Sequence, residues 1–314
     1  MPTVFGPVNS RRFGTSLGID LSPSFKQCNF DCLYCELAPA APVTVQSDVV
    51  SVETVMHELQ KALATHTHID DITVTANGEP TLYPHLDELI ERIDTVKGKT
   101  KTLILSNAAA LNDDRVFATL QRFDRVKLSL DAVTPDIFKK IDRPAPGIEV
   151  ASIIEAMQRF ARCYDGELFI EILFVKGLND TANEIEALNR VLLDIPCKRI
   201  DIGTIDRPPA YPVESVDFAS LHAIASAFDP ALPVHIAART ESAHIRESYD
   251  ETEILNTLDK RPLTMHDMQT LFDDATLQRL DTLIEAGHIV ASSASGVTFY
   301  LPAKNLHRKR RKPS

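Results

Sequence analysis

Short β-branched and apolar runs alternate along this chain with longer segments whose apolar residues return every third or fourth position. The runs "SLGIDL" (16–21), "DITVTAN" (71–77), "TLILSN" (102–107), "RVKLSLD" (125–131), "LFIEILFV" (168–175) and "RIDIGTID" (199–206) predict six strands. Between the fourth and fifth, Val150, Ile153, Ile154, Met157, Phe160, Ala161 and Tyr164 follow the period of an amphipathic helix. Strand, helix, strand at this rhythm predicts right-handed βαβ crossovers and a parallel sheet. No internal repeat links the motifs, and no low-complexity stretch precedes the basic C-terminus.

The strands themselves carry an anomaly. A parallel strand covered on both faces reads as a nearly continuous apolar run, yet Lys127, Ser129 and Asp131 alternate with Val126, Leu128 and Leu130, and Thr73, Thr75 and Asn77 with Ile72, Val74 and Ala76. One face is therefore polar. With helices over the apolar face, the polar face lines an incompletely packed interior, as in an open barrel that holds a ligand. The competing reading is an antiparallel edge with one wet face, which the helical crossovers oppose. The expected fold is α/β, a partial (β/α)6 TIM-type barrel with parallel strands.

After residue 245 the texture changes. Three short helical patterns, with Gly287 as a C-cap, lead into two strands joined by "SASG". The pattern is similar to a winged helix. Its recognition helix, about 275–286, exposes Asp281 and Glu285 and offers Arg279 as its one candidate for reading bases, which favours docking over major-groove recognition. The expected division is thus a core domain over 1–245, a winged-helix-like domain over 246–303 and a basic tail over 304–314. If the second domain selects the substrate, a chain cut near 245 should keep the core's chemistry.

At 314 residues the chain exceeds one core of roughly 200–250 residues. Its net charge of −11 disfavours a surface that coats nucleic acid, although "KNLHRKRRKPS" at the end carries six Lys or Arg and no acid. Any polyanion contact would be local. Five cysteines, a start unlike a signal peptide and no apolar run near ~18 residues predict a reducing cytoplasm, free thiols and no membrane span.

Three of those thiols crowd into "KQCNFDCLYCEL", as Cys28, Cys32 and Cys35. A structural zinc site wants four closed ligands. Cys163 and Cys197 are poor fourths, because each precedes a strand, whereas ligand-binding loops of β/α folds gather at the carboxyl ends of strands. The Cys28 to Cys35 loop follows the first predicted strand and stands at that end. Three thiolates on a cubane [4Fe–4S] cluster leave one iron without a protein ligand, open to a small molecule.

At these residues the chain resembles the radical S-adenosylmethionine (SAM) superfamily, in which C-x3-C-x-aromatic-C holds the cluster; Tyr34 supplies the aromatic. "NGEPT" (77–81) resembles the superfamily's Gly-Gly-Glu segment, with Asn77 in place of the first glycine. The resemblance implies that Gly78, Glu79 and Pro80 border SAM, with Glu79 accepting from its α-amino group; alone, the segment would read as a turn. "SNA" (106–108), "SLDAV" (129–133) and "VKGLND" (175–180) fall at successive strand ends. The resemblance makes Asn107, Ser129 and Asp131 polar contacts to SAM, against the alternative of simple strand-end caps.

The resemblance covers roughly 4–240. It implies reductive cleavage of SAM to methionine and a 5′-deoxyadenosyl radical that abstracts a substrate hydrogen, with an electron donor such as flavodoxin or ferredoxin. "GPVNSRRFGTSLGIDL" (6–21) and "DRPPAY" (206–211) resemble the branch related to wybutosine synthesis in tRNA. A flavodoxin-like portion and a second cysteine cluster are missing, so tRNA and protein both stay open as substrates. Arg11 and Arg12 could bind the SAM carboxylate or a phosphate, or be plain surface arginines. The other function class is a non-catalytic iron–sulfur redox-sensing regulator acting through the winged helix; "NGEPT" weighs against it, since a sensor needs no carboxylate for an amino group.

Overall fold

The computed structural model describes residues 2–10, 13–66, 68–236, 246, 248–260, 262–294 and 297–304. Arg11 and Arg12, the expected boundary at 245, residues 295–296 of "SASG" and the tail beyond 304 lie outside the described residues.

The chain opens on an antiparallel pair, β1 (Val4–Ser10) and β2 (Gly14–Asp20). A long segment carrying the three cysteines follows, then α1 (Val52–Thr65) and β3 (Asp71–Thr75). Next come α2 (Leu86–Val96), β4 (Lys101–Ser106), α3 (Asp114–Leu120), β5 (Arg125–Ser129), α4 (Pro135–Ile141) and α5 (Val150–Cys163). β6 (Glu167–Phe174), α6 (Ala182–Leu192), β7 (Arg199–Thr204), α7 (Phe218–Ala227) and β8 (Val234–Ile236) complete the unit. All eight strands lie in one sheet in chain order, parallel from β2 onward.

The six predicted strands are β2 to β7, and the sheet adds two. β1 escapes the pattern because Gly6 and Pro7 interrupt it; as an edge strand it tolerates a proline, which has no N–H to give to a ladder. β8 is three residues long, too short to show a period. Several strands end about two residues before their predicted limits, where Ala76, Leu130 and Ile205 leave the ladder and the backbone turns into the loops of the site. Polar caps start the helices: Ser51, Asp113, Thr181 and Asp217 each accept a first-turn N–H.

Alternation sorts the two faces. Leu17, Ile19, Ile72, Val74, Ile104, Val126, Leu128, Ile170 and Ile202 join the helices in one core, each burial stabilising by about 1.5–3 kcal/mol. The opposite face is polar but not empty. Toward the amino ends of the strands it is plugged by Phe13, Leu103 and Phe169, with the Arg125 and Arg199 guanidinium groups over the rings. Arg125 pairs with Asp71 and Glu167, Lys127 with Glu171 at 2.8 Å, and Arg199 with Asp201 at 2.7 Å. The interior is therefore closed at its base by neutralised charges, and the wet antiparallel edge is not the cause of the alternation.

Beyond the sheet, α8 (Glu251–Lys260), α9 (Met265–Leu271) and α10 (Asp274–Glu285) precede a hairpin of β9 (Ile289–Ala294) and β10 (Val297–Pro302). They share a second core built on Tyr249, Ile254, Leu258, Met268, Phe272 and Leu280. Thr264 and Asp267 form a capping box on α9. Gly287, at φ 73°, ends α10, as expected of a left-handed cap. Leu263 bridges Tyr300 of the hairpin. Arg279 does not reach outward for bases; its guanidinium donates to the Tyr249 carbonyl at 3.0 Å.

Candidate active site

The segment after β2 has little regular structure, and its shape comes from a few buried side chains. Gln27 is the first: its amide donates to Ser22 Oγ at 2.7 Å and the Asp48 carbonyl at 2.9 Å, while its oxygen accepts from the Ser47 and Asp48 N–H groups. Asp31 is the second. Its carboxylate takes Lys26 at 2.9 Å, Arg143 at 3.3 Å and the Tyr211 hydroxyl. Arg143 also lies over the Tyr211 ring at 4.7 Å. Arg207 pairs with Glu36, and the Ala210 N–H donates to the Cys35 carbonyl at 2.8 Å. Two distant segments, 142–145 and 207–211, thus clamp the cysteine loop.

Cys28, Cys32 and Cys35 are free thiols on this loop, beside the carboxyl end of β2. Each keeps some exposed surface, yet the packing around sulfur raises all three thiol pKa values. Burial pushes Cys28 up to about 12, with Glu79 adding to it; Cys32 stands well above the usual range and Cys35 is raised, while Lys26 pulls against the rise at Cys28 and Cys35. Such thiols ionise only against a strongly cationic partner. Among the described residues no three His, Cys, Asp or Glu converge as a single metal ion would require. Three thiols on one loop, with no fourth beside them, fit the donor set of an iron–sulfur cubane, in which each would hold a separate iron. Cys163, on the last residue of α5, and Cys197, just before β7, lie at the opposite ends of their strands.

"NGEPT" is zipped to the cysteine loop. Gln27 and Gly78 form a parallel bridge, with Gln27 N–H donating to the Asn77 carbonyl at 2.9 Å and Glu79 N–H to the Gln27 carbonyl at 3.0 Å. Gly78 sits at φ 142°, and a Cβ there would stand 1.8 Å from the Gln27 carbonyl oxygen; only glycine permits the approach. Pro80 starts a short 3-10 turn, Pro80–Leu82. Glu79 is buried and heavily engaged: Oε1 accepts from Thr81 N–H, Thr81 Oγ1 at 2.6 Å and Ser106 Oγ at 2.7 Å, and Oε2 from the Asn107 N–H at 2.8 Å. Burial raises its pKa and these donors oppose the rise.

Asn107 reaches the cysteine loop, donating to Asn29 Oδ1 at 2.6 Å, with Cys28 Sγ at 3.9 Å. Asn107, Ser129, Asp131 and Tyr34 line one cavity of about 40 Å³ between the ends of β4 and β5, α4 and the cysteine loop. The structure therefore brings Asn107, Ser129 and Asp131 to one place, with Glu79 next to it; "VKGLND" does not line the cavity and meets it only through Asn179, whose amide donates to the Asp131 carbonyl at 2.8 Å. It also shows a residue that the sequence did not mark. Asp142, beyond α4, is buried close to Asp131 and Cys32 and feels the charge of both. Burial raises the pKa of both carboxyl groups, and for Asp142 the neighbouring Asp131 charge adds to the rise. The Tyr34 hydroxyl donates to Asp131, whose other oxygen accepts from Leu173 N–H at 2.7 Å.

Comparison with known proteins gives this geometry a context. The family model described as Radical SAM superfamily matches residues 22–190. A "UPF0026 protein" of Helicobacter pylori is 40% identical over 301 residues, covering 95% of this chain and 97% of that protein. A radical SAM methyltransferase from Sphaerobacter thermophilus superposes with a TM-score of 0.53 at 16% identity, over 70% of this chain and 66% of that one. A structure of TYW1 with a lysine-pyruvate adduct gives 0.50 at 16% identity, over 69% and 74%. These two likenesses are of fold.

Proposed function

Because the chain belongs to the radical SAM superfamily, whose members bind a [4Fe–4S] cluster and SAM, we propose that it is an enzyme which holds the cluster on Cys28, Cys32 and Cys35. The observation that carries this reading is the bridge between Gln27 and Gly78, which fastens the three-cysteine loop to the Glu79 segment at the carboxyl ends of parallel strands. When bound, the cluster supplies the electron that cleaves SAM to methionine and the 5′-deoxyadenosyl radical. The protein's part is to place and shield. Glu79, with one partner on Oε2, keeps an acceptor for the SAM amino group. Asn107, Ser129 and Asp131 border the remainder, and Tyr34 orients Asp131. The plug at the base of the sheet keeps water from entering below.

Superfamily members need a reductant such as flavodoxin or ferredoxin. Among the described residues no helix is long and apolar enough to cross a membrane. We read the C-terminal helices and hairpin as a winged-helix-like domain that docks rather than reads bases, given where Arg279 points. The motifs at 6–21 and 206–211 make RNA the first substrate class to test. Nothing favours the redox-sensing regulator.

Anaerobically reconstituted protein should hold four irons and, with a strong reductant, form 5′-deoxyadenosine from SAM, the iron count following from a cubane. Replacing any one of Cys28, Cys32 or Cys35 by Ala should abolish product formation. Full cleavage by any of these variants would remove the assignment.

A further inference from the structure

The last residue of α8 reaches out of the C-terminal helices to the carboxyl end of β2, beside the start of the cysteine loop. Lys260 forms a salt bridge with Asp20 in which the two side chains are only 6% and 2% exposed. The same ammonium stands 3.5 Å from the Pro23 carbonyl, at the start of the cysteine loop. Asp20 ends β2, and its other oxygen, Oδ1, accepts from Ser22 N–H at 2.9 Å and Asn77 N–H at 2.7 Å. Asn77 opens "NGEPT", and its carbonyl accepts from Gln27 N–H. A short run of hydrogen bonds therefore joins Lys260 to the residue before Cys28 and to Glu79.

The position of Lys260 is itself secured. α8 packs on β1, where the buried Tyr249 hydroxyl donates to the Pro7 carbonyl, and Tyr249 N–H donates to Thr276 Oγ1 on α10 at 2.8 Å. A carboxylate as buried as Asp20 is costly without a counter-charge. With the counter-charge present, it offers two backbone N–H groups a charge-assisted acceptor.

We propose that Lys260 is a positioning residue for the SAM site: by neutralising Asp20 it fixes the backbone of Asn77 to Glu79 against the cysteine loop. The proposal rests on the reading of Cys28, Cys32, Cys35 and Glu79 given above. The C-terminal helices are then part of the SAM site rather than an appendage, and a chain cut near 245 loses SAM binding, against the expectation from sequence.

The test uses the full chain, reconstituted anaerobically, and reads iron content, SAM affinity by equilibrium dialysis, and the change that SAM makes in the EPR signal of the reduced cluster. Lys260→Met should retain its iron, bind SAM about 10- to 100-fold more weakly and show a blunted EPR change. Lys260→Arg, which keeps the charge, should recover most of both. Should Lys260→Met not fold, Asp20→Asn/Lys260→Met removes both charges together, and it should show the same loss because an amide holds the Asn77 N–H less strongly than a carboxylate. Wild-type affinity and a wild-type EPR change in the folded variant would overturn the proposal alone. A wild-type protein that held no iron or bound no SAM would overturn the parent reading and this one with it.

Discussion

The Glu79 carboxylate ties together Thr81, Ser106 and the Asn107 N–H, and its charge is felt at Cys28, so its removal acts on structure and ligand at once. Glu79→Ala should keep the absorbance of the cluster but lower the Tm, and it should weaken SAM binding by about 1.5–3 kcal/mol, the usual loss for a hydrogen bond to a charged group. Unchanged SAM affinity in the folded variant would reduce Glu79 to a structural tie. Gly78 makes a sharper case. Its conformation and the 1.8 Å approach to the Gln27 oxygen leave no room for a methyl group, so Gly78→Ala should push the two loops apart. The expected result is poor iron incorporation together with failure to bind SAM. Normal iron content in Gly78→Ala would mean that the loops assemble independently.

Among the elements, the parallel strands were legible from the alternation of apolar and polar residues, and the end of α10 from Gly287, which takes the left-handed cap conformation. Asn107, Ser129 and Asp131 came from the resemblance rather than from any period, and in the structure they stand at or just past the ends of β4 and β5 around one cavity. Gln27, Asp31, Asp142 and Arg143 were not legible, because Gln27 folds an irregular segment back on itself and Asp31 pairs with 142–143 from far along the chain, and no local period records either pairing. A sequence shows that a loop bears cysteines; it does not show what clamps it. The two ends of the strands can also be tested against each other. Cys163→Ala with Cys197→Ala should leave iron content and 5′-deoxyadenosine formation near wild type, since both thiols stand at the ends remote from the site. Loss of about half the iron would reveal a second cluster.

For the whole molecule the open matter is the substrate, and electrostatics gives the test. The chain carries −11 overall, while its last eleven residues hold six Lys or Arg and no acid. If RNA is the substrate, binding should weaken steeply with salt, and deleting 305–314 should lower the log–log slope by somewhat less than one unit for each phosphate that the tail had neutralised. No RNA binding by the intact protein at low salt would eliminate that reading and favour a protein or small-molecule substrate. The buried pair of Lys260 and Asp20 bears on how such a protein is re-engineered or inherited. Its two members are separated by most of the chain, so a chimera that takes its final helices from one relative and its first strands from another joins charges that were never selected together. A graft that leaves either charge without its opposite should fail in the host half, at the cysteine loop, far from the splice. An exchange of the C-terminal helices between relatives should therefore carry both residues in one block, or be confined to outer helix surfaces that leave the pair intact.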